Sequence, residues 1–263
     1  MMKLRFFTVL LVLGLVNSAW ADGSWIANAE DGMSHNWYLG VGGGATFPNV
    51  NQSAFVPGGV GWPADRYMKH TTDTVPLVSF LGGYTWARYE DWFPFYTLGA
   101  NYSYAFTSKV HGIIHQVPMP AFNDYSYTYS IQRQSLMALF KADIYRFKTF
   151  MPYVVVSGGL SRNKATHYTE QAFPGIPPRV SPGYGSANDI YGAYTVGAGL
   201  DYILTNHVWA SLEYSYGDYG YVSTGKGTDA SLTPSGFNFS QVNLKNKLTA
   251  NNVVLNLIYY MDN

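Results

Sequence analysis

Apolar residues recur at every second position in eight segments after Ala21, and this alternation constrains the fold of the 263-residue chain more than any other feature. A period of two places successive side chains on opposite faces of an extended strand, whereas an amphipathic helix requires a period near 3.6. No stretch after Ala21 has enough consecutive apolar residues for a membrane-spanning helix. The pattern therefore predicts an all-β chain with strands at 36–46, 74–88, 94–106, 130–145, 152–165, 189–204, 208–222 and 247–261.

One face of each predicted strand is apolar, and the other is small or polar. The segment 208–222, for example, places Leu212 and Tyr214 on one face and Ser211 and Glu213 on the other. A soluble β-sandwich would carry many Lys and Glu residues on its outward face. Charged residues make up only 12% of this chain, about half of the roughly 25% found in ordinary soluble domains. The apolar face is therefore expected to meet lipid, and a soluble β protein is the alternative.

The links between the predicted strands alternate between short and long. The short links are 89–93, 146–151 and 205–207, and the long links are 47–73, 107–129, 166–188 and 223–246. An even number of strands joined in this way is typical of bacterial outer-membrane proteins, in which short turns face the periplasm and long loops face outside. The predicted fold is an eight-stranded antiparallel up-and-down transmembrane β-barrel with both chain ends at the periplasmic rim.

Residues 1–21 have the three parts of a secretory signal peptide. Basic residues Lys3 and Arg5 precede an apolar stretch at 6–16, and small residues follow before Ala21. The apolar stretch is too short to cross about 30 Å of hydrocarbon, so cleavage after Ala21 is expected, with an uncleaved anchor as the alternative. We therefore predict a signal peptide (1–21), a periplasmic N-terminal segment (22–35) and a barrel (36–263) in the bacterial outer membrane.

Aromatic residues make up 17% of the chain, and many lie beside the short links. Trp and Tyr are enriched at membrane–water interfaces, where an apolar ring and a polar tip are both accommodated. The residues predicted to form this aromatic girdle are Trp37, Trp86, Trp92, Tyr96, Tyr145, Tyr153, Tyr202, Trp209 and Tyr259.

Five charged residues fall on the polar, lumen-facing side of the predicted strands. An eight-stranded barrel is only just wide enough for side chains to fill it, and an unpaired buried charge is costly. We therefore predict a paired network that plugs the lumen, with an ion path through it as the alternative. The residues of this network are Arg133, Lys141, Asp143, Asp201 and Glu213.

Three segments make the chain resemble the small outer-membrane barrel family that includes the OmpA membrane domain and OmpX. "WYLGVGGGATF" is similar to the first strand of such barrels, and "TVGAGLDYIL" with "VWASLEYSY" is similar to their penultimate hairpin. The closing "NNVVLNLIYY" resembles the last strand that the barrel-assembly machinery reads. The resemblance implies Tyr260 as the aromatic residue of that assembly signal, although Met261, Asp262 and Asn263 follow it.

Other patterns point away from cofactors, metals and catalysis. The Gly-rich segment 40–44 lacks the Gly-Lys-Ser or Gly-Lys-Thr and the helix of a phosphate loop. His111 and His115 have a spacing that suits metal ligands only on a helix, and Gly112 and nearby prolines argue against one. No His within a strand pairs with a Ser, as a barrel hydrolase requires. The net charge of +0 argues against nucleic acid, and the lack of Cys against thiolate metal sites.

The long links are rich in Pro and aromatic residues, as in "FPGIPPRVSPGYG". Loops on a rigid scaffold commonly carry binding, and mobile shielding without a partner is the alternative. We therefore expect a non-enzymatic barrel that serves envelope structure and surface interaction or adhesion. Its expected partners are outer-membrane lipid, lipopolysaccharide, the barrel-assembly machinery and a host or surface ligand. The alternatives are a narrow porin-like channel and, less favoured, a lipid-modifying enzyme.

Overall fold

The structure, a computed structural model, describes residues 33–51, 53–56, 64–88, 90–115, 123–176, 183–227 and 242–261. The predicted signal peptide lies outside these residues and stays a prediction. The strands are β1 (Met33–Asn51), β2 (Ser53–Val56), β3 (Asp65–Thr72), β4 (Val75–Arg88), β5 (Phe95–His115), β6 (Asn123–Asp143), β7 (Phe150–Ala172), β8 (Ala187–Ile203), β9 (Val208–Ser223) and β10 (Lys245–Tyr260).

Eight of these strands form a closed antiparallel ring. Strand β1 pairs with β4 on one side and with β10 on the other, and the pairing of β5 with β6 completes the circuit. The two remaining strands, β2 and β3, form a short hairpin that attaches to the far end of β5. The predicted eight-stranded antiparallel barrel is therefore confirmed. Within the described residues, no helix has the length and hydropathy needed to cross a bilayer.

The strand register makes the barrel narrow and strongly tilted. A path along paired residues that starts at Leu39 returns to β1 at Asn49, ten residues further along the strand. A ring of eight strands with this stagger has an interior just wide enough for side chains. The path runs through Leu39, Gly82, Ala100, Ala138, Gly158, Tyr194, Asp218, Thr249 and Asn49.

The strands extend well into three of the four links that were predicted as loops. Strand β5 continues to His115, β6 begins at Asn123 and β7 continues to Ala172, while β2 and β3 lie inside the predicted link 47–73. The loop predictions were therefore wrong for these residues. Strand β1 also begins at Met33, three residues before the predicted start of the barrel.

The barrel reverses its polarity along its axis, which explains the missed strand ends. Within the apolar band, outward residues such as Leu136 and Leu160 are about 60% exposed, and they face lipid. Beyond that band, on the side of the long links, inward residues such as Val110 and Ile114 are fully buried, and Lys109 faces out. We call this part of the barrel the extension. Its outer surface is polar because water surrounds it.

The structure fixes the register of the last strand, β10, against β1. The sequence pattern did not determine which residues of this strand face inward. Tyr260 pairs with Tyr38, and Val254 pairs with Gly44. Val254 and Ile258 are buried and therefore face inward. A slip of one residue would expose their lumenal neighbour Asn256 to lipid.

Gly42 leaves space in the lumen for a hydrogen bond between two other strands. Ser79 Oγ donates to Asn256 Oδ1 at 3.1 Å, and a Cβ atom on Gly42 would lie 2.0 Å from that oxygen. The adjacent Gly43 faces outward and would have no atom within 4 Å of its Cβ.

We predict that Gly42→Val lowers the free energy of unfolding by about 1–3 kcal/mol, because the larger side chain overpacks the lumen. Urea titration of the refolded barrel in lipid vesicles, followed by heat-modifiable gel mobility, measures this change. Gly43→Val is the matched control and should cost less than about 0.5 kcal/mol. Equal losses in both variants would contradict the assigned faces of β1.

Candidate functional site in the barrel lumen

Lys141 lies at the centre of a buried charge cluster in the lower lumen. Its ammonium group donates to Asp201 Oδ2 and lies 3.8 Å from Asp143 Oδ1. The same nitrogen is 4.3 Å from the centre of the Tyr153 ring. Strand β6 contributes Lys141 and Asp143, both inward at spacing two, and β8 contributes Asp201. Two carboxylates and one aromatic face therefore share a single buried cation.

Glu213 lies next to this cluster, between two small cavities. Each cavity has a volume of about 30 Å³, and Glu213, Asn101 and Asn256 line both of them. Lys141 lines the lower cavity, and Ser79 lines the upper one. A cavity of this size with several polar groups has room for an ordered water molecule. The middle of the lumen is therefore polar, narrow and divided.

Arg133 lies apart from the Lys141 cluster, in the upper lumen. One of its terminal nitrogens donates to Asn252 Oδ1 at 3.1 Å, and its guanidinium carbon is 3.6 Å from the centre of the Tyr219 ring. Four of the five predicted residues therefore lie together, and Arg133 lies apart from them. The four are Lys141, Asp143, Asp201 and Glu213. A polar amide and an aromatic face surround the charge of Arg133.

Aromatic rings pack together inside the barrel at the end that carries the short turns. The Trp209 ring packs against Tyr260 and Phe95, with centroid distances of 4.6 and 5.1 Å, and Tyr260 also packs against Tyr38 at 6.0 Å. Met151, Ile203 and Ile258 complete this buried cluster. Trp209 is completely inaccessible although it lies near the barrel rim. We call this group the lower plug.

Two residues predicted for the aromatic girdle face the lumen instead. Tyr153 is 2% exposed and its hydroxyl is 2.8 Å from Ser211 Oγ, while Trp209 belongs to the lower plug. The physical reason is strand parity, because the outward positions next to Tyr153 and Trp209 are Val154 and Ala210. The other seven residues lie on the outer surface of the barrel: Trp37, Trp86, Trp92, Tyr96, Tyr145, Tyr202 and Tyr259.

A second buried cluster fills the interior of the extension. It is rich in tyrosine, and its rings contact one another across strands, as in the Tyr67–Tyr127 pair with centroids 5.5 Å apart. Aliphatic residues belong to the same cluster. The fully or nearly fully buried members include Val50, Val56, Tyr67, Val110, Ile114, Tyr127, Tyr129, Val222, Leu244 and Leu248.

Glu170 joins opposite walls of the extension. Tyr67 on β3 and Tyr168 on β7 both donate their hydroxyl groups to Glu170 Oε1, the first at 3.3 Å. Burial raises the pKa of the Tyr168 hydroxyl well above its ordinary value, so this hydroxyl remains protonated and can donate. This contact fixes the position of the β2–β3 hairpin against the far wall.

The two histidines with metal-like spacing lie on a strand. His111 and His115 both belong to β5, and four residues of strand separate them by about 13 Å. His111 Nε2 is 3.7 Å from Asp73 Oδ1. In the part of the chain that the structure describes, no three His, Cys, Asp or Glu side chains are placed to hold a metal ion.

A family model for the outer membrane protein β-barrel domain matches residues 7–255. The chain belongs to this family. Its resemblance to the small outer-membrane barrels is thereby confirmed, and the family places this barrel in the bacterial outer membrane. A comparison with curated proteins finds no match.

Several solved outer-membrane structures are similar to this barrel. Neisserial surface protein A is 11% identical, with a TM-score of 0.45, and the match covers 88% of this chain and 100% of that one. The outer-membrane protein OprG from Pseudomonas aeruginosa is 16% identical, with a TM-score of 0.43 and coverage of 87% and 97%. The attachment invasion locus protein Ail of Yersinia pestis is 11% identical, with a TM-score of 0.32 and coverage of 86% and 99%.

Sequence reasoning missed the interior of the extension. The signal was present in 123–131, where Tyr125, Tyr127 and Tyr129 alternate with the polar residues Asp124 and Ser126. That alternation has the same period as the membrane strands but the opposite polarity, so it does not match the pattern expected of a lipid-facing strand. A search for period two without regard to which face is apolar would have found it.

We predict that Lys141→Met lowers the free energy of unfolding of this barrel by about 3–5 kcal/mol, because it leaves Asp143 and Asp201 buried without a cation. Adding Asp201→Asn should recover part of the loss. Urea titration in vesicles measures both effects, and Lys148→Met, at an exposed short turn, is the control. A loss below 1 kcal/mol for Lys141→Met would show that the carboxylates do not depend on this ammonium group.

Proposed function

We propose that this outer-membrane barrel is a non-conducting scaffold whose extension presents four loops at the cell surface. In this role it contributes to envelope structure and to surface interaction or adhesion. The observation that carries the proposal is closure of the lumen at two levels, by the lower plug and by the cluster inside the extension. No catalytic step is part of the proposal.

The lower plug supports a closed lumen because its rings are buried and in contact with one another. Trp209, Tyr260 and Phe95 are buried at a level where an open pore would expose them to periplasmic water. The interior of the extension supports closure at the other end, since Val222, Leu244 and Leu248 are buried there. Both barriers are apolar, and they enclose the polar middle of the lumen.

The extension supports a role for the loops because it raises them on an ordered stem. Strand β5 continues for ten residues beyond Ala105, which is about 33 Å of strand before its tilt is considered. Loops on a rigid scaffold are common binding sites. The links that the extension carries are 57–64, 116–122, 173–186 and 224–244.

The proposed partners follow from this placement. Outer-membrane lipid and lipopolysaccharide would surround the apolar band, and a host or surface ligand would bind the loops. Tyr260 would serve the barrel-assembly machinery as the terminal aromatic of β10, although its ring faces the lumen within the lower plug. The cleaved signal peptide at 1–21 completes the proposed route of export.

A narrow channel for ions or small solutes is the second candidate. The observation that favours it is the pair of polar cavities that Glu213, Asn101 and Asn256 line together. For conduction, the lower plug and the extension would both have to open. A motion of this kind would connect the Lys141 cluster to water on both sides.

We expect the refolded barrel to give no stable single-channel steps in a planar bilayer, because both ends of the lumen are packed. Trp209→Ala removes the largest ring of the lower plug and should increase brief, irregular conductance. Trp37→Ala, which removes an outward ring of the same size, is the matched control and should remain silent. Stable steps from the unmodified barrel that change in ion selectivity with Glu213→Gln would favour the channel instead.

We expect that replacing the loops with short turns abolishes surface binding while the barrel still folds. A variant with short Gly-Ser turns in place of 57–63, 116–122, 177–182 and 228–241 should retain heat-modifiable gel mobility, because it leaves all ten described strands unchanged. Adhesion of bacteria that display either protein to epithelial cell monolayers measures the effect. Equal adhesion by both proteins would contradict a binding role for the loops.

A further inference from the structure

Arg133 is a buried cation whose partners in the protein are all uncharged groups. Its side chain is 4% exposed. One terminal nitrogen donates to Asn252 Oδ1 at 3.1 Å and lies 3.5 Å from Thr46 Oγ1, and the guanidinium carbon is 3.6 Å from the centre of the Tyr219 ring. In the described part of the chain, Arg133 belongs to no ion pair, and its Nε atom has no hydrogen-bond partner. A charge and an N–H donor therefore remain to be satisfied at this level of the lumen.

The Lys141 cluster shows how the same lumen accommodates a cation with matching charges. Lys141 contacts Asp201 and lies 3.8 Å from Asp143. Around Arg133 the corresponding groups are an amide, a hydroxyl and an aromatic ring. A buried charge without a countercharge is destabilising, so an anion beside Arg133 would stabilise the folded barrel.

A small cavity lies beside Arg133. Its volume is about 10 Å³, which is close to the least space that holds one water molecule. Thr46 Oγ1 accepts from Arg133, so its own hydrogen can donate to a ligand in the cavity. The cavity therefore has two donors, Arg133 Nε and the Thr46 hydroxyl. Its apolar lining consists of Pro48, Val75, Ala105, Phe106, Ile131 and Leu248.

A β-bulge creates this cavity at the level where the apolar band gives way to the extension. Ala105 on β5 pairs with Arg133 on β6. The next paired residue of β5 is Ser108, and it lies opposite Ile131, so β5 carries one extra residue here. An extra residue bends the strand and disturbs the packing beside it. Phe106 lies in the bulge, lines the cavity and is 44% exposed, so this side chain separates the cavity from the outside.

The barrel wall is also interrupted on the other side of the cavity. Pairing between β1 and β4 ends at Thr46 and Val75, two residues that line the cavity. Among the described residues, pairing of the same two chain segments resumes only at Ser53 and Met68, in the β2–β3 hairpin. The cavity therefore lies where the wall is least regular, and an ion can reach it without crossing the packed ends of the lumen.

We propose that the cavity beside Arg133 binds one small inorganic monoanion of the halide class, such as chloride. One guanidinium charge matches one negative charge, and the cavity is too small for sulfate, phosphate or an organic carboxylate. The apolar lining favours chloride, which is less strongly hydrated than those oxyanions. The bound ion would join β6 to β1 through Arg133 and Thr46. This inference goes beyond the proposed function and does not depend on whether the loops bind a partner.

The test measures the folding equilibrium of the full refolded barrel in vesicles of neutral phospholipid, by urea titration in sodium chloride or sodium gluconate. Gluconate is too large for the cavity. An anion that binds only the folded state increases the folding equilibrium constant. We expect the constant to be about tenfold larger in about 0.3 M chloride than in gluconate, which corresponds to a dissociation constant of about 30 mM.

Three variants assign this effect to the cavity. In Arg133→Met the difference between the two salts should fall below about twofold, because the charge is lost. Thr46→Val keeps the charge and removes one donor, so chloride should bind about fivefold more weakly and the difference should fall to about threefold. Arg162→Met removes an exposed guanidinium from the neighbouring strand β7 and is the matched control, which should keep the tenfold difference.

A difference below twofold in the unmodified barrel would overturn the proposal. An undiminished difference in Arg133→Met would do the same, because chloride would then act as a general salt. If Arg133→Met does not fold, Thr46→Val decides: an unchanged tenfold difference in that variant contradicts the site.

Bromide locates the ion directly. Anomalous diffraction from crystals of the barrel grown in sodium bromide should show a peak in the cavity, within hydrogen-bonding reach of Arg133 Nε. A water molecule without anomalous signal at that position would show that the cavity is only hydrated, and the proposal would be wrong. Conductance and adhesion report separately on the proposed function.

Discussion

The absence of water in the bilayer core is the constraint on which this structure depends. Each backbone N–H and C=O group within the membrane must find a partner in the protein, and a sheet can meet this demand only if it closes. Pairing of β1 with β10 and of β5 with β6 closes the ring here. Closure then gives every strand one face toward lipid and one toward the lumen, so parity decides the environment of each side chain.

Parity also explains why the same barrel contains three different interiors. The lower plug is aromatic, the middle is polar and ion-paired, and the interior of the extension is again apolar. An eight-stranded ring is too narrow for bulk water, so each level must satisfy its own side chains. Lys141 is paired with Asp143 and Asp201, whereas Arg133 contacts Asn252 and the Tyr219 ring.

The outer surface follows the medium that surrounds it. Leucine, valine and aromatic residues face lipid, and polar and basic residues cover the extension. The strands keep a period of two across these boundaries. In the membrane band the apolar face points outward, whereas in the extension it points inward. The extension therefore behaves as a small soluble β-barrel that continues from a membrane barrel, and the Tyr67–Glu170–Tyr168 contact ties its walls together.

The sequence by itself determined the number of strands in the closed ring, their antiparallel order and the inward position of the charged residues, because a period of two and alternating link lengths are local properties. The prediction for Tyr153 and Trp209 was wrong because both residues lie near a short turn, but strand parity directs their side chains into the lumen. The sequence-based prediction also missed the strands beyond the membrane, where the expected polarity is reversed. The tertiary structure alone decided which charges meet, since Lys141 and Asp201 are 60 residues apart and become neighbours only when the ring closes.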